Sequence, residues 1–306
     1  MGWNPIGNIF NPENYPMSPY LASHASNPVA IYIGGDSYRI FYSGRDKFNR
    51  SSVGGFDFDL EKLKVTDVFV KPFAIFGPPE SYFSHGIGLG CSYTASGSLS
   101  LLFMGWHVPA VGGHWRGEIG KIEVQSDFLT MQVSEGGPML GLGSENPISL
   151  SYPWVTQNQS GSAQMWYGST LTWDGGNGEM VHTLRRSDSD DGISWTKTPS
   201  FVPHRVGTMQ AFSRPTVLED SEGRQEMYFS FRGAPPGKYK IGRAFSDDSG
   251  DSWEVDREAL TFDSPLADWE SEMQEYPFVF SHRGQKFMLY NGNNYGATGV
   301  GLAIHN

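Results

Sequence analysis

Phe41-Tyr42-Ser43 returns as Phe103-Met104-Gly105, Trp166-Tyr167-Gly168, Tyr228-Phe229-Ser230 and Leu289-Tyr290-Asn291, at steps of 62, 63, 62 and 61 residues. A near-constant step of this length marks one supersecondary unit copied along the chain. Five such units account for all 306 residues, so the repeat predicts a single domain over 1–306 where length alone would suggest two. Function is then to be sought where the five units converge.

Outward from each aromatic triplet the chain reads as strand, turn, strand, longer loop, strand. A Pro-containing segment precedes four of the triplets: Asn27-Pro28-Val29-Ala30-Ile31, Tyr152-Pro153-Trp154-Val155, Arg214-Pro215-Thr216-Val217 and Tyr276-Pro277-Phe278-Val279. Proline is tolerated there because the first residue of a strand need not donate to the ladder. The second unit lacks this proline, and its place falls near Gly90. Turns such as Gly34-Gly35-Asp36-Ser37 and Arg283-Gly284-Gln285 join the first strand to the aromatic one. Third strands are marked by Val53-Gly54, Ile119-Gly120, Ile241-Gly242 and Val300-Gly301, with the third unit less regular around His182-Thr183-Leu184-Arg185.

Ser246 to Trp253 fits the turn pattern Ser-x-Asp-x-Gly-x-x-Trp, and Asp188 to Trp195 is a near copy with Asp in place of the first Ser. In this Asp box the carboxylate accepts backbone hydrogen bonds and the indole packs below, so it reports architecture rather than catalysis. The chain stops at Asn306, after the third strand of the fifth unit, which leaves that unit without an outer strand. Residues from Trp3 to Phe10 are predicted to supply it. The expected fold is all-β, a five-bladed β-propeller whose ring is closed by this N-terminal strand.

Composition agrees and narrows the function. Aromatic residues at 14 %, 38 Gly and 19 Pro against 18 % charged residues fit short strands and tight turns, not long helices. A net charge of −11 argues against a nucleic-acid partner, which needs Lys and Arg to displace counterions. Cys91 is the single cysteine, so no internal disulfide forms, and no run approaches 18 apolar residues. With no basic-then-apolar leader at Met1-Gly2-Trp3-Asn4-Pro5, the expectation is a cytoplasmic protein with no membrane partner. Gly-Lys-Ser/Thr, Cys-x-x-Cys, His-Glu-x-x-His and Gly-x-Ser-x-Gly motifs are absent, so no cofactor is expected and no metal is required.

In a propeller the residues opening each inner strand and those closing each second strand meet at one end of the central channel. This placement selects His24, Asn27, His85, Tyr152, Arg214, Glu272, Glu275 and Tyr276 from inner strands, and Arg45, Asp46, Trp106, Arg232, Asn291 and Asn294 from second strands. Glu272, Glu275 and the loop residue Glu179 are the candidate acids or bases. The bland reading of each is a loop carboxylate satisfied by solvent or a neighbouring Arg. Arg45, Arg50, Arg214 and Arg232 with His24 and His85 offer donors suited to phosphate or carboxylate, against the alternative of ion pairs between units. Trp106 offers a face for a sugar ring, and Asn291 and Asn294 offer amides for its hydroxyls.

The five-fold repeat, Asn27-Pro28, the Tyr-Pro-Phe-Val-Phe strand from Tyr276 and the ending Met288-Leu289-Tyr290-Asn291-Gly292-Asn293 resemble the five-bladed glycoside hydrolases and their relatives. These are the arabinanases and β-xylosidases, the invertases and levansucrases, and the mannoside phosphorylases. The chain is also similar to glycosidase-like proteins encoded with polysaccharide-synthesis genes. The resemblance implies a carbohydrate substrate and action on a glycosidic bond, which takes two carboxyl groups across the scissile bond. Here Asn27 stands where those families place an aspartate, and Ser151-Tyr152 where they place another. Three readings follow: a glycoside-hydrolase-like enzyme on an anionic or activated sugar, a phosphorylase or transferring enzyme in the same pocket, and a non-catalytic carbohydrate-binding propeller.

Overall fold

A computed structural model describes residues 2–111, 113–157, 161–233, 237–262 and 266–306. The chain is almost entirely β, and among the described residues no helix is long and apolar enough to cross a membrane. Each aromatic triplet is the second strand of an antiparallel group. The first strands are Ser23–Gly34, Gly86–Ala95, Ser149–Gln157, Met209–Glu219 and Glu275–His282. The second strands are Ser37–Arg45, Ser98–His107, Ala163–Thr172, Gln225–Arg232 and Gln285–Asn291. First strands of successive repeats touch one another in order, and the fifth touches the first. The first two repeats form one eight-stranded sheet through a parallel bridge between Ser51 and Gly86, where separate sheets were expected.

The N-terminal strand Trp3–Phe10 runs antiparallel to Val300–His305, with Trp3 opposite His305 and Phe10 opposite Val300. The reason is apolar burial: Trp3 sits edge-on to Tyr228, 5.7 Å between ring centroids, and Phe10 stacks on Phe56 at 4.2 Å. Both rings are almost fully buried, and each contributes about 2–3 kcal/mol of hydrophobic stabilisation.

The prolines bring a feature that periodicity does not predict. Asn27, Tyr152, Arg214 and Tyr276 each precede a proline and each has positive φ, at 54°, 39°, 55° and 55°. The register jumps at all four, from Ser26 to Val29, Ser151 to Trp154, Ser213 to Thr216 and Glu275 to Phe278. These are bulges, and a left-handed residue before proline costs about 1–3 kcal/mol unless its surroundings hold it. For two of the four a triplet residue ties the N–H: Ser230 Oγ accepts from the Tyr276 N–H at 2.8 Å and Asn291 Oδ1 from the Asn27 N–H at 2.9 Å. In repeat two Ser43 Oγ accepts likewise from the Leu89 N–H at 3.0 Å. The last residue of the triplet thus ties each of these second strands to the first strand of the next repeat. Gly90 takes the proline's place in repeat two because a Cβ there would lie 2.3 Å from the Pro153 carbonyl oxygen.

The two Asp turns are formed by hydrogen bonds of the expected kind. Asp248 accepts from the Ser252 N–H at 2.9 Å and from Ser246 Oγ at 2.7 Å. In repeat three the first position is filled by Ser189, not Asp188: Ser189 Oγ donates to Asp191 at 2.9 Å and accepts from the Gly192 N–H at 2.9 Å. This turn is one residue shorter, and Asp188 pairs with Arg186 instead.

Candidate functional site

The bulged first strands and the ends of the second strands enclose a cavity of about 380 Å³. Tyr152 and Tyr276 stand side by side in it, their ring centroids 5.4 Å apart, both aimed by the bulge before proline. Arg45, Trp106 and Arg232 also line it. Trp106 is held by a hydrogen bond from its Nε1 to Ser51 Oγ at 2.9 Å.

The two lining arginines differ. Arg232 is neutralised: Nη2 donates to Glu179 Oε1 at 2.7 Å, Nε lies 2.6 Å from Oε2, and Glu179 is almost wholly buried. The guanidinium also lies over the Tyr239 ring, 4.9 Å from its centroid, and reaches the Tyr295 hydroxyl at 3.4 Å. Arg45 makes no ion pair among the described residues, and its one hydrogen bond goes to Asn49 Oδ1 at 2.7 Å. The cavity therefore presents one uncompensated positive charge.

Glu275 lies next to Tyr276 at the start of its strand, 0 % exposed, and neither carboxyl oxygen has a hydrogen-bond partner. Burial pushes its pKa well above the usual carboxylate range; the charges of Arg45 and Arg232 oppose this only partly, and the Tyr295 N–H acts in the same sense without completing a hydrogen bond. The corresponding residues before the other bulges are Ser26, Ser151 and Ser213. Where three repeats place a small hydroxyl, the fifth buries a carboxyl.

The other sequence-selected residues separate into distinct settings. Glu272 is exposed, with Lys238 Nζ 3.3 Å from its carboxylate. Asp46 holds the loop between Arg45 and Arg50, accepting from the N–H groups of Phe48 and Arg50 and from Arg50 Nε at 2.8 to 2.9 Å. Arg50 lies over Phe76 at 3.9 Å, and with His85 it lines a neighbouring cavity. His24 is half-buried beside Ser23, and burial with the charge of Arg45 brings its pKa down to about 4. Asn291 uses its amide to bond Ala25 O, Gly299 O and the Asn27 N–H, and Asn294 is an exposed left-handed residue. Arg214 is fully buried with one bond to Pro28 O at 2.9 Å, and Asn27 Oδ1 has no partner.

Several lining residues carried no sequence signal: Trp115, Met180, Tyr239 and Tyr295 come from loops outside the repeat's landmarks. His182 was visible only as an irregular third strand. It is buried, with Nε2 3.0 Å from Ser151 Oγ and Nδ1 2.7 Å from Thr170 Oγ1, and burial with the charge of Arg232 lowers its pKa to about 3. Gly168 makes room, since a Cβ there would sit 2.4 Å from His182 Nε2. No cluster of three or more His, Cys, Asp or Glu suited to a metal occurs among the described residues.

No protein-family model matches the chain. Uncharacterized protein MT1551 of Mycobacterium tuberculosis (strain CDC 1551 / Oshkosh) and Uncharacterized protein Rv1502 of Mycobacterium tuberculosis (strain ATCC 25618 / H37Rv) are each 38 % identical to it over 306 residues, 99 % of either chain. Among solved structures, one described as a glycoside hydrolase is similar with a TM-score of 0.73 and 14 % identity, covering 98 % of this chain and 90 % of its own. An endo-arabinase from Bacteroides thetaiotaomicron gives 0.65 and 12 %, covering 95 % and 97 %. A member of the GH130 family of mannoside phosphorylases, which contains hydrolases for β-1,2 mannosidic linkages in Candida mannan, gives 0.69 and 12 %, covering 94 % and 85 %. At these identities the likeness is one of fold. The chain therefore belongs to the same family as the two mycobacterial proteins, and its fold is that of the propeller glycoside hydrolases.

Proposed function

We propose that this protein is a single-domain, closed five-bladed β-propeller enzyme that acts on a glycosidic bond of an anionic sugar, with Glu275 as its acid. The closed ring is supported by the cyclic contacts of the first strands and by the pairing of Trp3–Phe10 with Val300–His305. A location in the cytoplasm accords with a lone, buried cysteine.

The observation that carries the catalytic reading is the buried carboxyl of Glu275, without a hydrogen-bond partner among the described residues and next in the chain to Tyr276, which lines the cavity. A carboxyl whose pKa is raised holds its proton to higher pH than an ordinary one and can give it to a leaving oxygen. The carboxylate left behind is stabilised by the charges of Arg45 and Arg232, the same groups that oppose the rise of its pKa. Arg45 binds the substrate's anionic group, because its charge has no acidic partner among the described residues. Trp106, Tyr152 and Tyr276 supply faces for the sugar ring, and Glu179 holds Arg232 in place.

A second reading has its own support. Glu179 is committed to Arg232, and no carboxylate is among the described residues that line the cavity. Inorganic phosphate bound at Arg45 would then serve as the nucleophile, and the reaction would be phosphorolysis. The test is turnover of a panel of uronic-acid glycosides and sugar phosphates, with and without phosphate, by wild type and Glu275→Gln. We expect kcat to fall about 10²–10⁴-fold in the variant. Unchanged turnover would remove Glu275 from the mechanism, and a dependence on phosphate would select the second reading.

A further inference from the structure

We propose that the neighbouring cavity, about 690 Å³ and lined by Arg50, Tyr82, His85, His107 and Glu118, binds an uncharged, hydroxyl-rich sugar ring, so that the substrate has two parts of different charge. For its joint use with the axial cavity this rests on the sugar-site reading above; as a binding site it stands alone. The two cavities share a wall. Trp106 lines the axial cavity and His85 the second, with ring centroids 5.7 Å apart, and the His85 N–H donates to the Trp106 carbonyl at 3.0 Å. Arg45 and Arg50, at the two ends of one loop, line one cavity each.

Their electrostatics differ. Arg50 is neutralised by Asp46, with Nη2 2.8 Å from Oδ2. The second cavity adds Glu80 and Glu118 and contains no unpaired arginine or lysine among its described lining residues. It therefore disfavours a second anion.

Its hydrogen-bonding groups suit hydroxyls, each of which donates and accepts. The Val108 N–H points to His85 Nδ1 at 3.4 Å, so Nδ1 is the acceptor and Nε2 is the ring's donor. Glu118 Oε1 accepts from the Leu142 N–H at 3.2 Å, which leaves Oε2 to accept from a ligand.

Two probes test this by ligand-observed NMR titration: methyl β-D-glucopyranoside for the uncharged ring and D-glucuronate for the anion. The proposal expects both to bind at once. Glu118→Ala and His85→Ala should each weaken the glucoside about tenfold, as loss of one or two hydrogen bonds would. Arg45→Met should leave the glucoside unaffected and weaken glucuronate. Glu118→Gln, which keeps an acceptor for Leu142, guards against a folding artefact and should still weaken the glucoside. The proposal is overturned if the glucoside does not bind, is insensitive to His85 and Glu118, or is displaced by glucuronate. Normal binding of both probes with turnover intact in Glu275→Gln would instead sink the catalytic reading alone.

Discussion

Asp248 and Glu275 are carboxylates in adjacent repeats, and the fold treats them in opposite ways. Asp248 is exposed, and hydrogen bonds from Ser252 and Ser246 hold its pKa down to about 2. Glu275 is buried, accepts no complete hydrogen bond and is pushed up. The satisfied carboxylate closes a turn between strands; the unsatisfied one holds its proton more tightly, because burial outweighs the opposing charges of Arg45 and Arg232. The comparison teaches that the donors around an acid and its burial, rather than its position in the repeat, decide the direction in which its pKa moves.

Removing the Glu275 charge is the strongest way to break this contrast. Besides the loss of turnover, Glu275→Gln should change stability in an unusual direction. The folded-state pKa is raised, so above about pH 4.5 the unfolded chain releases its proton first and the native state loses stability as pH rises. Chemical denaturation should find the variant more stable than wild type at pH 7, with the gap closing toward pH 4.5. A variant less stable at pH 7 would assign Glu275 to the scaffold, with Asp248.

The Glu179–Arg232 pair is the intermediate case, a buried acid whose partner is present. Arg232→Met leaves Glu179 uncompensated and should cost about 3–5 kcal/mol in urea unfolding at pH 7. A cost below about 1 kcal/mol would mean that the pair behaves like a surface salt bridge.

His182 extends the contrast to a base. Its pKa is lowered from 6.5 to about 3, so the unfolded state takes up a proton first as pH falls through that window. This contribution to stability is complete above pH 6.5 and is lost on acidification, with a slope of up to about 1.4 kcal/mol per pH unit. His182→Gln should flatten the stability profile between pH 6.5 and 4, and an unchanged slope would show that His182 is not buried neutral.

The smallest effect belongs to the satisfied acid. Asp248→Ala should lower Tm by a few degrees, about the effect of 1 kcal/mol, and leave turnover unchanged. Lost activity without a lower Tm would erase the distinction between the two carboxylates.

Much of the scaffold was legible because it repeats. The step of about 62 residues located every second strand, the X-Pro pairs located four of the five first strands, and the missing outer strand pointed to Trp3–Phe10. Less of the site was legible. Glu272, the first choice from the sequence, lies three residues before Glu275, yet it reaches Lys238 at the surface while Glu275 starts a buried strand. Tyr239 and Tyr295 were invisible because loops bring them in. Tyr295 follows Asn294 in a turn where both are left-handed, at φ 59° and 55°.

The sequence by itself determined the spacing of the repeated second strands and the X-Pro pairs in four of the first strands, because these follow from spacing and turn chemistry within a repeat. Only the tertiary structure decided which polar and charged groups are paired, since pairing joins residues far apart in the chain: Glu179 with Arg232 across 53 positions, and Asn27 with Asn291 across 264. A carboxylate's burial and its neighbours' charges are properties of the assembled fold. No single repeat contains enough of the surroundings to reveal that Glu275 is left without a partner.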